Sequence, residues 1–143
     1  GAMVGSADFI GDMKEVKGKT DAGFVAPMAV GVLASLEKDQ GGIAEYREMY
    51  RQRLGILSEL MLGCGMRLAI EPRAGFYTLW EAPTRAFGQK IVGGEEFNFT
   101  MIEKTGVVGV HFDNYLRYAV CADVDAMRSD LEAAFKSAEV SYD

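Results

Sequence analysis

The sequence predicts an α+β fold in which helices pack on one small, mostly antiparallel sheet, with residues 1–143 forming a single domain. Three observations carry this. The chain has 143 residues, 49% hydrophobic and 25% charged, a mix that suits one soluble domain with a true core. Apolar residues recur at helical spacing over long stretches, most clearly at Ile43, Tyr46, Tyr50, Leu54, Leu57, Leu60 and Met61. After Gly63-Cys64-Gly65 the period changes from 3.6 to 2, giving the order helices, two strands, helix, two strands, helix.

Taken in order, Ser6 caps a helix carrying Phe9, Ile10, Met13 and Val16 and ending near Gly18. Asp21 caps a second, with Pro27 in its first turns, running to the break at Lys38-Asp39-Gln40-Gly41-Gly42. It is apolar nearly all round, which predicts burial. The long stripe from Ile43 to Met61 follows, with Glu45, Arg47, Glu48, Arg51 and Arg53 mostly facing outwards. Strands are expected at Met66 to Ile70 and Phe76 to Trp80, then a mobile loop from Pro83 to Gly94. A helix opens at Glu95 and closes at Thr105-Gly106. Val107 to Val110 and Tyr115 to Cys121 are two further strands, separated by His111-Phe112-Asp113-Asn114. Asp123 caps the last helix, and residues from Ser137 onward are expected to fray. The predicted core comprises Phe24, Val32, Leu33, Leu36, Tyr50, Leu54, Leu57, Phe76, Leu79, Val107, Leu116, Val120, Leu131 and Phe135.

Several function classes are disfavoured. Fifteen basic against 21 acidic residues, net charge -6, offer no electrostatic footprint for nucleic acid. The apolar run Phe24 to Leu36 is broken by Pro27 and Gly31 and is shorter than the ~20 residues a membrane span needs. No basic region followed by an apolar one opens the chain, so cytoplasm is the default location. Cys64 and Cys121 are distant and in apolar or Gly-rich sequence, which reads as reduced core thiols with no metal knuckle. Neither a phosphate-binding glycine loop nor a hydrolase or zinc motif is present. His111 reads as a surface-loop histidine. Pairing it with Cys121 as a nucleophile is disfavoured, because nothing near Cys121 would lower its pKa.

Arg117 breaks its local pattern, standing in Tyr115-Leu116-Arg117-Tyr118-Ala119-Val120 where the neighbours predict a buried strand. Either its guanidinium holds a carboxylate in a two-pronged contact, or alternation simply places it on the solvent face with Tyr115 and Ala119. The residues themselves leave both readings open.

Five stretches follow one another in an order that a known family shares. Thr20-Asp21-Ala22-Gly23-Phe24-Val25-Ala26-Pro27 resembles "TDSGxFxP". The Ile43 to Met61 helix, with Tyr46, Tyr50 and Arg53, resembles a "YxxRRD" helix. Pro72 to Trp80 is similar to "PxGxFYxW", and Thr105-Gly106-Val107-Val108 with Tyr115 to Ala119 is similar to "TGVxV…YxRxA". With these motifs the chain resembles the C-terminal part of a fold-type I, class I/II pyridoxal-phosphate-dependent aminotransferase, and Met3 to Ile10 resembles the stretch entering that family's small domain. The resemblance implies that Arg117 binds the substrate α-carboxylate and that Tyr77 approaches the substrate pocket. Val110 to Tyr115 is shorter than the family's "PGxxFGxxGxxY" loop, and His111 has no counterpart role.

The family's Schiff-base lysine, phosphate-gripping arginine, pyridinium-facing aspartate and ring-stacking aromatic all precede the stretch that Gly1 to Gly5 resembles. Those first residues read either as a cloning scar or, through "GxxVG", as native sequence. The resemblance therefore implies one domain, with residues 1–20 leading out of a large domain not contained here. The whole enzyme would transfer amino groups between an amino acid and a 2-oxo acid using pyridoxal phosphate. This chain would hold no catalytic residue, cofactor or metal, and would be inactive alone. Excision is expected to expose Met3, Phe9, Met13 and Met28 and so to drive homo-oligomerisation. The competing reading is a freestanding α+β module for small-ligand binding or protein interaction.

Overall fold

The computed structural model describes residues 3–20 and 25–143, and the chain falls into two compact units, Gly1–Ala44 and Glu45–Asp143. In the first unit, α1 spans Ala7–Thr20 and α2 spans Ala26–Lys38, with Pro27 in the first turn. Ser6 opens α1 as expected, its Oγ accepting the Phe9 N–H at 3.4 Å. The predicted Asp21 cap and the predicted core residue Phe24 lie outside the described residues. α3, Gln40–Gly63, starts before Ile43 because Asp39 caps it, its carboxylate accepting the Gly42 N–H at 2.9 Å.

The predicted burial of α2 is not found. Neither α1 nor α2 contains a buried residue, and Val32, Leu33 and Leu36 are 57%, 54% and 63% exposed. A helix apolar all round is buried only where neighbours surround it. Within this unit, α2 is accompanied by one other helix and the opening turn of α3.

The second unit holds the core. Its four-stranded antiparallel sheet has the order β1 (Leu68–Ile70), β2 (Tyr77–Glu81), β6 (Tyr115–Ala119), β5 (Val110–Phe112). One sheet face packs Trp80, Leu116 and Tyr118 against Leu54, Leu57 and Met61 of α3, Phe97 and Met101 of α4 (Gly93–Thr105), and Phe135 of α5 (Arg128–Ser137). Trp80 is fully buried, and its indole N–H donates to Thr78 Oγ1 at 2.8 Å. Tyr118 meets Phe135 edge-on, with ring centroids 5.6 Å apart. Of the predicted core, Leu54, Leu57, Leu116, Val120 and Phe135 are buried, whereas Phe76 is 37% exposed.

The expected mobile loop Pro83 to Gly94 is instead a packed ribbon. β3 (Arg85–Ala86) pairs β4 (Gln89–Lys90), and Pro83, Ala86 and Ile91 are buried. The turn between them needs positive φ at both residues: Phe87 at 51° and Gly88 at 74°. The C-terminal residues do not fray. Arg85 and Ser141 exchange backbone hydrogen bonds, and the Tyr142 hydroxyl donates to the Glu81 carbonyl at 3.0 Å. Polar sequence had suggested solvent here, but spaced apolar residues and this strand-like return cover the ribbon. The last helix proper also starts later than expected: Asp123 caps a preceding turn, accepting the Ala126 N–H at 3.3 Å.

The cysteine reading is corrected as well. Cys121 is exposed just beyond β6, and Cys64 is half-buried, its thiol pKa pushed up by burial. Both are free thiols.

Candidate functional site

Strand alternation sends Thr78, Trp80, Leu116 and Tyr118 to the core, and therefore turns Tyr77, Leu79, Tyr115, Arg117 and Ala119 to the opposite face. Arg117 stands at the middle of that face on the inner strand β6. Its register partners are Leu79 on β2 and Val110 on β5. Phe112, paired with Tyr115, lies on the same face.

Of the two alternatives for Arg117, the structure bears on the placement. The residue is on the open face of the sheet, yet it is half-buried there. Its guanidinium carbon is 4.2 Å from the Tyr77 ring centroid and 5.0 Å from that of Phe112. The two rings reach it from the strands on either side. Each such contact is worth roughly 0.5–2 kcal/mol, more where water is excluded. The rings hold the group but do not neutralise it. Among the described residues Arg117 forms no ion pair, and its Nε is buried with no hydrogen-bond partner. A half-buried cation without a charged partner is costly, and an anion could offset that cost.

Neighbouring elements fix this face. The two-residue turn Asp113-Asn114 closes the β5–β6 hairpin, with Asp113 at φ 46°, a conformation aspartate tolerates. At the start of α4 the Gly94 N–H donates to the Asp113 carbonyl at 2.8 Å. A Cβ at Gly94 would stand 2.6 Å from the Tyr115 carbonyl oxygen, so only glycine allows this approach. Below the sheet, buried Asn98 accepts the Gly109 N–H at 2.9 Å, tying α4 to the chain entering β5. At the far end of β6, Arg53 from α3 donates to the Cys121 carbonyl at 3.0 Å.

Tyr77 and Arg117, both singled out in the sequence, are thus brought together. Phe112 was missed because it was read as part of a connection. Its signal was the Asp-Asn pair, which as a two-residue turn puts Phe112 opposite Tyr115. His111 is not on a surface loop: it lies in β5, half-buried on the core side, with its ring 6.0 Å from Phe99. Among the described residues, no group of three or more His, Cys, Asp and Glu side chains is placed to hold a metal ion. No helix among them is long and apolar enough to cross a membrane. A cavity of about 350 Å³ at the C-terminal return is lined by Arg67, Glu81, Tyr115 and Tyr142 among others, and Arg117 is not part of its lining.

No family model matches the chain. It is 28% identical over 139 residues to the LL-diaminopimelate aminotransferase of Syntrophobacter fumaroxidans, a match covering 92% of this chain and 34% of that protein. The enzyme of the same name from Moorella thermoacetica is 27% identical with the same coverage. The glutamate-pyruvate aminotransferase AlaC of Escherichia coli is 25% identical over 135 residues, 90% of this chain and 32% of that protein. The chain spans about a third of the length of these relatives.

Proposed function

We propose, from the fit of this chain to the C-terminal portion of a fold-type I aminotransferase, that it serves as the small domain of such an enzyme. In that role Arg117 receives the α-carboxylate of the amino acid or 2-oxo acid, and Tyr77 borders the substrate. The observation carrying this is the unpaired Arg117 guanidinium held between Tyr77 and Phe112 on the open sheet face. A planar fork steadied by rings keeps its orientation before the ligand arrives, which lowers the entropic cost of binding.

The chain's own residues do not fit the cofactor. A Schiff-base lysine must shed its proton, which burial promotes, yet Lys14, Lys17, Lys19, Lys38, Lys90, Lys104 and Lys136 are all exposed. Lys19 pairs with Glu15, and Lys104 lies over the Phe87 ring. In this reading pyridoxal phosphate is held by a large domain outside these 143 residues, in a cytoplasmic homo-oligomer, and the chain alone is inactive.

The test is direct. In the ¹⁵N-labelled chain the Arg117 side-chain N–H resonance, assigned with Arg117→Lys, is followed while alanine is added. A saturable shift is expected, and an unmoved resonance overturns the carboxylate role. The same preparation, incubated with pyridoxal phosphate and dialysed, should be colourless; a retained band abolished by changing one lysine overturns the assignment of the cofactor elsewhere.

A further inference from the structure

The surroundings of Arg117 say what kind of molecule its anionic partner belongs to. Along β6 its neighbours on the open face are Tyr115 and Ala119; across the sheet they are Leu79 and Val110; on the diagonals they are Tyr77, Glu81 and Phe112. All but Glu81 are apolar or aromatic. Tyr77, Val110, Phe112 and Tyr115 keep 41%, 45%, 46% and 44% of their surface accessible, so they form contact area rather than core. The acid on this face is Glu81, in register with Tyr115. Arg117 is the sole cation among the strand residues of this face. Its Nε is walled off from solvent, which leaves the two Nη groups as the accessible donor edge.

Resting on the reading of Arg117 as a carboxylate holder, we propose that this face selects a monocarboxylate carrying an aromatic or other apolar substituent. One carboxylate meets the Nη edge while the substituent lies against the Phe112 and Tyr77 rings and the Leu79 and Val110 side chains. A bare short-chain anion gains the charge contact alone. A second carboxylate would find no further cation on these strands, would lose hydration against apolar side chains, and would meet Glu81 at like charge.

The experiment titrates the ¹⁵N- and methyl-labelled full chain with acetate, 3-phenylpropanoate and glutarate at one pH and one ionic strength. The Arg117 N–H reports the carboxylate, and the Leu79 and Val110 methyls report the substituent. Phenylpropanoate is expected to half-saturate Arg117 at roughly 3- to 10-fold lower concentration than acetate, the range an added aromatic contact supplies. It alone should shift the two methyls, and glutarate should do no better than acetate. In Phe112→Ser, whose fold is checked by its spectrum, the advantage should fall to less than about 2-fold. Equal half-saturation for acetate and phenylpropanoate, or tightest binding of glutarate, overturns the substituent preference and leaves the carboxylate role standing. No Arg117 shift with any of the three overturns both. The wild-type series decides the matter even if the variant does not fold.

Discussion

Among single residues, Tyr118 carries a feature as informative as that of Arg117 beside it. Its ring is buried against Phe135, but its hydroxyl has no hydrogen-bond partner among the described residues, and burial pushes the phenol above its ordinary value. Removing an unsatisfied buried hydroxyl while keeping the ring costs little and can stabilise. Tyr118→Phe is therefore expected to be neutral or to gain up to about 1 kcal/mol in chemical denaturation. The pH dependence follows from the sign of the shift. A phenol held neutral in the folded chain supports stability fully below the unfolded-state value near 10, and this support is lost as pH rises towards the higher folded value. The wild-type melting temperature should thus fall above about pH 10, and less steeply in Tyr118→Phe. Tyr142, also raised by burial, adds to the slope in the same direction. An equal alkaline slope in the two proteins would count against Tyr118 as its source. What was legible at this scale was anomaly: an arginine among strand residues stands out in the sequence. The missing partner of the Tyr118 hydroxyl was not legible, because orphaning depends on what the fold places around an atom.

At the scale of elements, the clearest prediction is a contrast between two helices, of which the more apolar in sequence, α2, is the exposed one. Leu54→Ala in α3 removes a buried side chain and should cost about 2–5 kcal/mol. Leu36→Ser in α2 alters a 63% exposed residue and, at dilutions where the chain does not associate, should change stability by no more than about 0.5 kcal/mol. Denaturation midpoints at constant slope measure both; a large loss from Leu36→Ser would mean that α2 is covered. A second prediction concerns the junction of α4 with the β5–β6 hairpin. Gly94→Ala sets a methyl against two backbone oxygens, at 2.6 and 3.0 Å, which cannot rotate away as a side chain can. It should cost roughly 1–3 kcal/mol and weaken alanine binding at Arg117, because the displaced turn carries Phe112. Normal stability with normal binding would show that the junction is slack. Strand and helix identities were largely legible here, since alternation around Trp80 and Leu116 and the Ile43 to Met61 stripe are local signals. The Pro83 to Gly94 ribbon was not. Its hairpin depends on Ser141, more than 50 residues away in sequence, and polar composition alone resembles a solvated loop.

For the whole molecule, the expectation of an α+β arrangement holds in the second unit, and the open face of its sheet and the apolar first unit pose a common question. Large apolar side chains are exposed throughout α1 and α2: Phe9 by 49%, Val16 by 57%, Met28 by 66% and Leu33 by 54%. Apolar patches beyond a few hundred Å² are uncommon on monomers and mark contact surfaces. The sequence could reveal that α2 is apolar, but period and composition do not name the covering surface. Self-association is one way to cover it, and methionines such as Met13 and Met28 suit it by adapting to irregular neighbours. The chain is therefore expected to form dimers or larger species whose mass rises with concentration in light scattering. Replacing Leu33 and Leu36 by glutamate should shift the distribution towards monomer, since each charge would have to be desolvated in any such contact. Because both side chains are exposed in the folded chain, the melting temperature of the dilute protein should hardly change. A strictly monomeric mass up to high concentration, unmoved by the double replacement, would show that these helices do not associate through their apolar surface.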